Sequence, residues 1–189
     1  MTLLALQGGF ADAPIASAHA FRAALTALSQ PGQILSVTGA APPAPVSVAA
    51  GVLLLTLVDG TTPVHLAGGY DCAALRDWLT FHTGAPLVAP EAASFALGTW
   101  ADLQPVGRFA QGLPDYPDRS CTLIVEVVGL SNTGARLTGP GIADHARLNL
   151  PEVAAFQANR ARFPLGFDAF FTAADQIAGL PRSTHVEEF

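Results

Sequence analysis

The densest run of chemically able side chains lies at the C-terminus: Pro181-Arg182-Ser183-Thr184-His185-Val186-Glu187. As an extended strand, it would send Ser183, His185 and Glu187 to one face and Arg182 and Thr184 to the other. The composition resembles a Ser-His-acid triad, but the spacing does not fit one. Same-face neighbours on one strand lie about 6–7 Å apart, too far for the direct hydrogen bonds a triad needs. A His-x-Glu pair can instead bind a metal or hold a proton donor. The plainer alternative is that these side chains satisfy each other or a partner chain.

Three further places could meet an anion. His82 falls in the last turn of an expected helix, on its apolar face, with Thr83 beside it. There it is either a proton donor or phosphate contact, or a core histidine bonded to a carbonyl. Arg22 sits on a polar stripe of the first expected helix and can reach a ligand, a carboxylate or solvent. Leu137-Thr138-Gly139-Pro140-Gly141-Ile142 offers backbone N–H groups in a glycine-rich turn, which cradles an oxyanion or simply turns the chain.

What is missing narrows the chemistry. The chain has no lysine; all nine basic side chains are arginine. A Walker-type phosphate loop and a pyridoxal-phosphate Schiff base both need that lysine. The five histidines, at 19, 65, 82, 145 and 185, show no helical metal-binding pair, and there is no CxxC. No metal motif is expected. Cys72 and Cys121 are too few for a disulfide framework and fit reduced thiols.

The elements that must position these groups follow from periodicity. A helix is expected over 13–29, capped by Asp12, with Ala18, Phe21, Leu25 and Leu28 facing the core. A strand follows at 33–38. A second helix, apolar nearly all round, ends near Val58, and a short strand covers 63–66. A third helix covers 72–83, capped by Asp71 and closed by Gly84 in a left-handed cap. Residues 94–97 suggest a strand, and 99–120 an irregular excursion, a partner contact or lid. Strands are expected at 122–128 and 135–138, and a helix at 151–162. A hairpin is expected over 167–172 and 176–180, and a last strand at 183–187. Early alternation of helices and strands gives an α/β fold on a mixed sheet.

Composition bounds the rest. The 189 residues suit one domain, 1–189, and half of them are hydrophobic while 13% are charged. A net charge of −6 argues against nucleic acid as a partner. Met1 to Phe10 lacks the basic start of a signal peptide, and the longest apolar stretch, 48–58, is too short to span a membrane. A cytoplasmic chain with no membrane partner is expected.

Several blocks, in order, resemble the phosphonate-metabolism family that contributes one component to the carbon–phosphorus lyase core complex. They are Ala20-Phe21-Arg22 with Ser29-Gln30-Pro31-Gly32, Leu53 to Asp59, Thr62-Pro63-Val64-His65-Leu66, and Phe81 to Val88. Leu137 to Ile142, Phe163 to Asp168 and Pro181 to Glu187 complete the series. The resemblance implies a three-layer αβα fold like the main domain of pyridoxal-phosphate-dependent transferases, without the cofactor site and with no cofactor. It implies homodimers and assembly with subunits G, I and J. It also implies a part in forming ribose 1-methylphosphonate 5-triphosphate, a step that exchanges the adenine of ATP for a phosphonate. No catalytic residue is implied for this component alone. Two roles remain open. In one, the chain completes the complex, with Arg182, Thr184, His185 and Glu187 at its contacts. In the other, Arg22, His82 and Arg182 hold ATP or phosphonate oxygens, and His82 or His185 protonates the leaving base.

Overall fold

The computed structural model describes residues 6–188; of the stretch Met1 to Phe10, residues 1–5 lie outside it. A six-stranded mixed sheet, in the order β1-β10-β9-β6-β3-β2, forms the centre. Its strands are β1 (Leu35–Ser36), β2 (Val64–Leu66), β3 (Phe95–Thr99), β6 (Thr122–Glu126), β9 (Asp168–Ala173) and β10 (Gln176–Leu180). β2, β3, β6 and β9 run parallel. β10 turns back antiparallel to β9, as the expected hairpin, and β1 pairs antiparallel to β10. The 33–38 segment thus yields only a two-residue strand.

Alternation along the strands divides the core into two faces. Leu97, Ile124, Phe170 and Ile177 point into one cluster with α1 (Ala13–Ser29), α2 (Val48–Leu57) and α3 (Ala73–Thr83). Ala96, Leu123, Val125, Phe171 and Ala178 point into the other. That second face is closed by α4 (Val153–Arg160) and by a small sheet in the order β11-β7-β8. The small sheet comprises β7 (Ala135–Thr138), β8 (Ala146–Leu148) and β11 (His185–Glu187). β8 has only three residues and too little pattern to announce itself in the sequence.

The helix limits follow the capping chemistry. Asp12 accepts from the Ile15 N–H at 3.4 Å, and Pro14 sits in the first turn of α1. The Ser47 hydroxyl accepts from the Ala50 N–H at the start of α2. Gly84 ends α3 at φ +67°, the expected left-handed cap. Asp71, in contrast, does not cap α3: Cys72 is the N-cap residue, and the Asp71 carboxylate binds Arg76 instead.

The face of α1 is the largest correction. Ala20, Ala24 and Ala27 are its buried residues, while Ala18, Phe21 and Leu25 face outward; Leu28 is partly buried against the core. Small residues win because the helix lies almost on the sheet. A Cβ added at Gly179 of β10 would come within 2.6 Å of the Ala27 backbone. Phe or Leu on that face would hold the two layers apart.

The expected irregular excursion over 99–120 also carries order. It contains a hairpin of β4 (Gln111–Leu113) and β5 (Tyr116–Ser120), paired antiparallel. Pro114-Asp115 forms its turn. No helix among the described residues is long and apolar enough to cross a membrane.

Candidate functional site

The C-terminal run divides differently from the simple alternation. Arg182 and Ser183 lie in a turn before β11, Thr184 and Val186 are buried, and His185 and Glu187 are exposed. Pairing of β11 with β7 sets His185 opposite Thr138 and Glu187 opposite Arg136.

Arg182 is the most heavily bonded side chain of the group. Its Nε donates to Asp168 Oδ1 at 3.1 Å and its Nη2 to Asp168 Oδ2 at 2.6 Å. Nη1 donates to the Pro117 carbonyl at 2.8 Å, and Nη2 also donates to the Ser120 hydroxyl. Four of the five guanidinium donors are therefore engaged within the chain. The backbone N–H of Arg182 also donates to Asp168 Oδ1 at 2.8 Å. One arginine thereby ties the β4–β5 hairpin and the end of β10 to the start of β9. This geometry supports a structural role over anion capture.

His185 and Glu187 are similarly occupied within the chain. Arg160 of α4 donates to His185 Nε2 at 3.2 Å and stacks on Phe163 at 4.9 Å. Glu187 pairs with Arg136 at 2.8 Å. Thr184 is buried, and its hydroxyl has no hydrogen-bond partner among the described residues.

His82 and Thr83 sit at the far end of α3. His82 Nε2 lies 3.2 Å from the Gln7 carbonyl, to which the Trp78 indole also donates at 3.0 Å. The His82 ring rests against Trp78 and Phe81. A carbonyl only accepts, so His82 donates through Nε2, holding the N-terminal segment against α3. Thr83 donates to the Leu79 carbonyl and accepts from the Ala85 N–H. Arg22 lies on the outer face of α1 and makes no hydrogen bond or ion pair with any described residue. The fold brings Thr184, His185 and Glu187 together beside Arg182, but leaves His82–Thr83 and Arg22 on separate helices.

The glycine-rich turn meets a hydrogen-bond acceptor rather than an open cradle. A Cβ at Gly141 would collide with the Ser29 carbonyl oxygen, and Gly139 packs on the Ser183–His185 backbone. The turn therefore closes over the C-terminus of α1.

Sequence reading missed a polar group at the carboxyl ends of the parallel strands, where open α/β sheets commonly bind ligands. Glu126, the last residue of β6, is buried and accepts from the Ser47 N–H at 2.7 Å. Burial pushes its carboxyl above the ordinary range, although the Ser47 bond opposes this. Tyr70 is pushed up to about 12, first by burial and then by the charges of Glu126 and Asp102. Thr99 donates to Asp102 at 2.6 Å. Only the sheet topology joins Tyr70, Asp102 and Glu126, which lie 24 to 56 positions apart. Among the described residues, no group of three or more His, Cys, Asp or Glu is placed to hold a metal. Burial pushes the Cys121 thiol up to about 12, which leaves it a poor nucleophile.

Residues 8–187 match the family of bacterial phosphonate metabolism proteins, PhnH. The chain belongs to that family. It is 39% identical over 191 residues to the alpha-D-ribose 1-methylphosphonate 5-triphosphate synthase subunit PhnH of Rhizobium meliloti (strain 1021). That match covers 95% of this chain and 94% of the relative. It is 30% identical over 182 residues to the "Putative C-P lyase subunit protein HtxG" of Stutzerimonas stutzeri, covering 88% and 84%. The resemblance built from the ordered sequence blocks is therefore confirmed at the level of the family, across nearly the whole chain.

Proposed function

We propose that this chain is an accessory subunit of the carbon–phosphorus lyase core complex, serving the step that forms ribose 1-methylphosphonate 5-triphosphate. In this reading it is cytoplasmic, pairs with a second copy of itself, and docks with subunits G, I and J. It also adopts the three-layer main-domain architecture of pyridoxal-phosphate-dependent transferases without their cofactor. Its contribution is a docking surface that completes the assembly rather than a reacting group.

One observation carries this reading. Ile15, Phe21 and Leu25 on the outer face of α1 are 58%, 53% and 57% exposed. The buried side of the same helix is Ala20, Ala24 and Ala27, so α1 carries large apolar side chains outside the core it packs on, around Arg22. Covering such half-exposed side chains stabilises an interface by roughly 1 kcal/mol each. The engagement of Arg182, Glu187 and His82 within the chain supports the same reading.

A second reading rests on Arg22, which is free of partners among the described residues. There Arg22 holds an oxygen of ATP or phosphonate at a site shared with another subunit, by a charge-assisted hydrogen bond.

Co-production of the tagged chain with subunits G, I and J, followed by size exclusion, tests the proposal. The accessory reading expects one co-eluting assembly. An assembly of the other three that forms and turns over equally well without this chain would refute it.

A further inference from the structure

Among the described residues, the chain covers one edge of the central sheet and leaves the other open. At the β2 edge, the Val64 N–H donates to the Pro86 carbonyl, the Val88 N–H donates to the Val64 carbonyl, and Leu87 bridges Val64. β1, at the opposite end of the strand order, pairs with β10 alone. An open edge is a ready template for another strand.

The register tells which groups of β1 are left over. Leu35 lies opposite Ile177 and Ser36 opposite Gln176, and the Val37 N–H donates to the Asp175 carbonyl at 2.8 Å. Bonded positions alternate along an antiparallel pair. Leu35 and Val37 thus turn their main-chain groups to β10, and Ser36 turns its N–H and C=O to the open side. Ser36, Thr38 and Gly39 are exposed, while Val37 is buried.

A trough of about 560 Å³ runs along this side. One wall is residues 36–39, and the other is the flank of α1 that carries Asp12, Ile15, Ala16, His19 and Ala23. Leu35 and Val37 pack into the α1 cluster, so alternation sends the Ser36 side chain to the opposite face of the sheet. Ser36 therefore lines a trough shared with α1 through its outward main chain. Phe10 bounds the trough at Gly39, and beyond it the Ala41 N–H donates to the Gly8 carbonyl at 2.8 Å. A short extended segment fits this space. Its N–H and C=O complete Ser36, as in strand addition to a sheet edge, and its side chains on the helix side meet the small Ala16 and Ala23. Asp12 is the acidic residue of the wall, which carries no lysine or arginine, so a basic residue suits that end. A second copy of this chain, at net charge −6, suits it less.

We infer that a different subunit extends the sheet at β1, adding a short edge strand that bonds to the Ser36 main chain and places a basic residue near Asp12. This deepens the docking role proposed above and rests on it: Ile15 lines the trough and also stands 58% exposed on α1.

The test is residue-level amide hydrogen exchange on the full chain, alone and assembled with subunits G, I and J. The Ser36 amide should exchange about tenfold or more slowly in the complex, while the Val37 amide, already bonded to Asp175, changes less. Ser36→Pro removes the outward donor and should weaken assembly by about tenfold, the loss expected for one hydrogen bond; Ser36→Thr keeps the donor and should assemble as wild type. Should the proline variant fail to fold, the exchange of the unaltered chain decides. Asp12→Asn keeps the helix cap without the charge, and should weaken assembly by about threefold at low salt and hardly at all at high salt. If no assembly forms, the docking role and the added strand fall together. An assembly in which Ser36 exchanges as fast as in the free chain would overturn the added strand alone. Protection of Ser36 that appears in the isolated chain on concentration would put a second copy on the edge and overturn the choice of a different subunit.

Discussion

Arg182 and Asp168 meet in a two-point ion pair, with the arginine side chain 11% exposed and the aspartate 26%. The pair joins the turn after β10 to the first residue of β9, while Nη1 donates to the Pro117 carbonyl and Nη2 donates also to the Ser120 hydroxyl. Arg182→Ala strands a largely buried carboxylate and frees the β4–β5 hairpin. It should cost about 3 kcal/mol in urea unfolding, as expected when one partner of a buried pair is removed. Arg182→Lys should recover little, because a point charge cannot replace the planar fork. A variant as stable as wild type that loses only ligand affinity would favour the nucleotide- or phosphonate-binding role instead.

Glu126 should give the opposite result. Burial raises its folded carboxyl above the unfolded value of 4.5, so the folded state binds its proton more tightly than the unfolded chain. The resulting stability is fully present below the unfolded value and is lost as pH rises through the raised one. At pH 7 to 8 the ionised carboxylate therefore costs stability. Glu126→Gln keeps an acceptor for the Ser47 N–H without that charge. Its melting temperature should equal or exceed that of wild type at pH 8, and the difference should shrink toward pH 5. A variant whose deficit grows as pH rises would show that the charge itself is needed.

Two glycines with positive φ should respond unequally to alanine. Gly84 caps α3, and a Cβ there would meet nothing nearer than Gly60 Cα at 3.8 Å. Its substitution should cost only the backbone term, about 1 kcal/mol. Gly141 has the same φ problem, at +81°, and its Cβ would also strike the Ser29 carbonyl. Gly141→Ala should lower the urea midpoint well beyond Gly84→Ala. Equal midpoints would mean that the turn does not close on α1.

Local chemistry was legible in the sequence; the choice of face and partner was not. Asp12, Gly84, the apolar second helix and the β9–β10 hairpin declare themselves through near neighbours. The inward face of α1 does not, because the usual preference for large apolar residues picks Phe21 and Leu25. The close approach of α1 to Gly179 at Ala27 instead favours small residues, and the buried positions are Ala20, Ala24 and Ala27. For the candidate site, the run Arg182 to Glu187 was visible as a polar cluster. Its partners Asp168, Ser120, Arg160 and Arg136 lie 14 to 62 residues away and enter only through the fold. The group of Glu126, Tyr70 and Asp102 is likewise assembled by parallel strand ends, and no spacing in the chain announces it.

The central claim is that the outer face of α1 is a docking surface. The double substitution Phe21→Glu and Leu25→Glu tests it most directly, read by co-purification with the tagged partner subunits. Both side chains are more than half exposed, so the isolated variant should melt within about 0.5 kcal/mol of wild type. It should nonetheless be absent from the purified complex. A stable variant retained in the complex at wild-type stoichiometry would contradict the account.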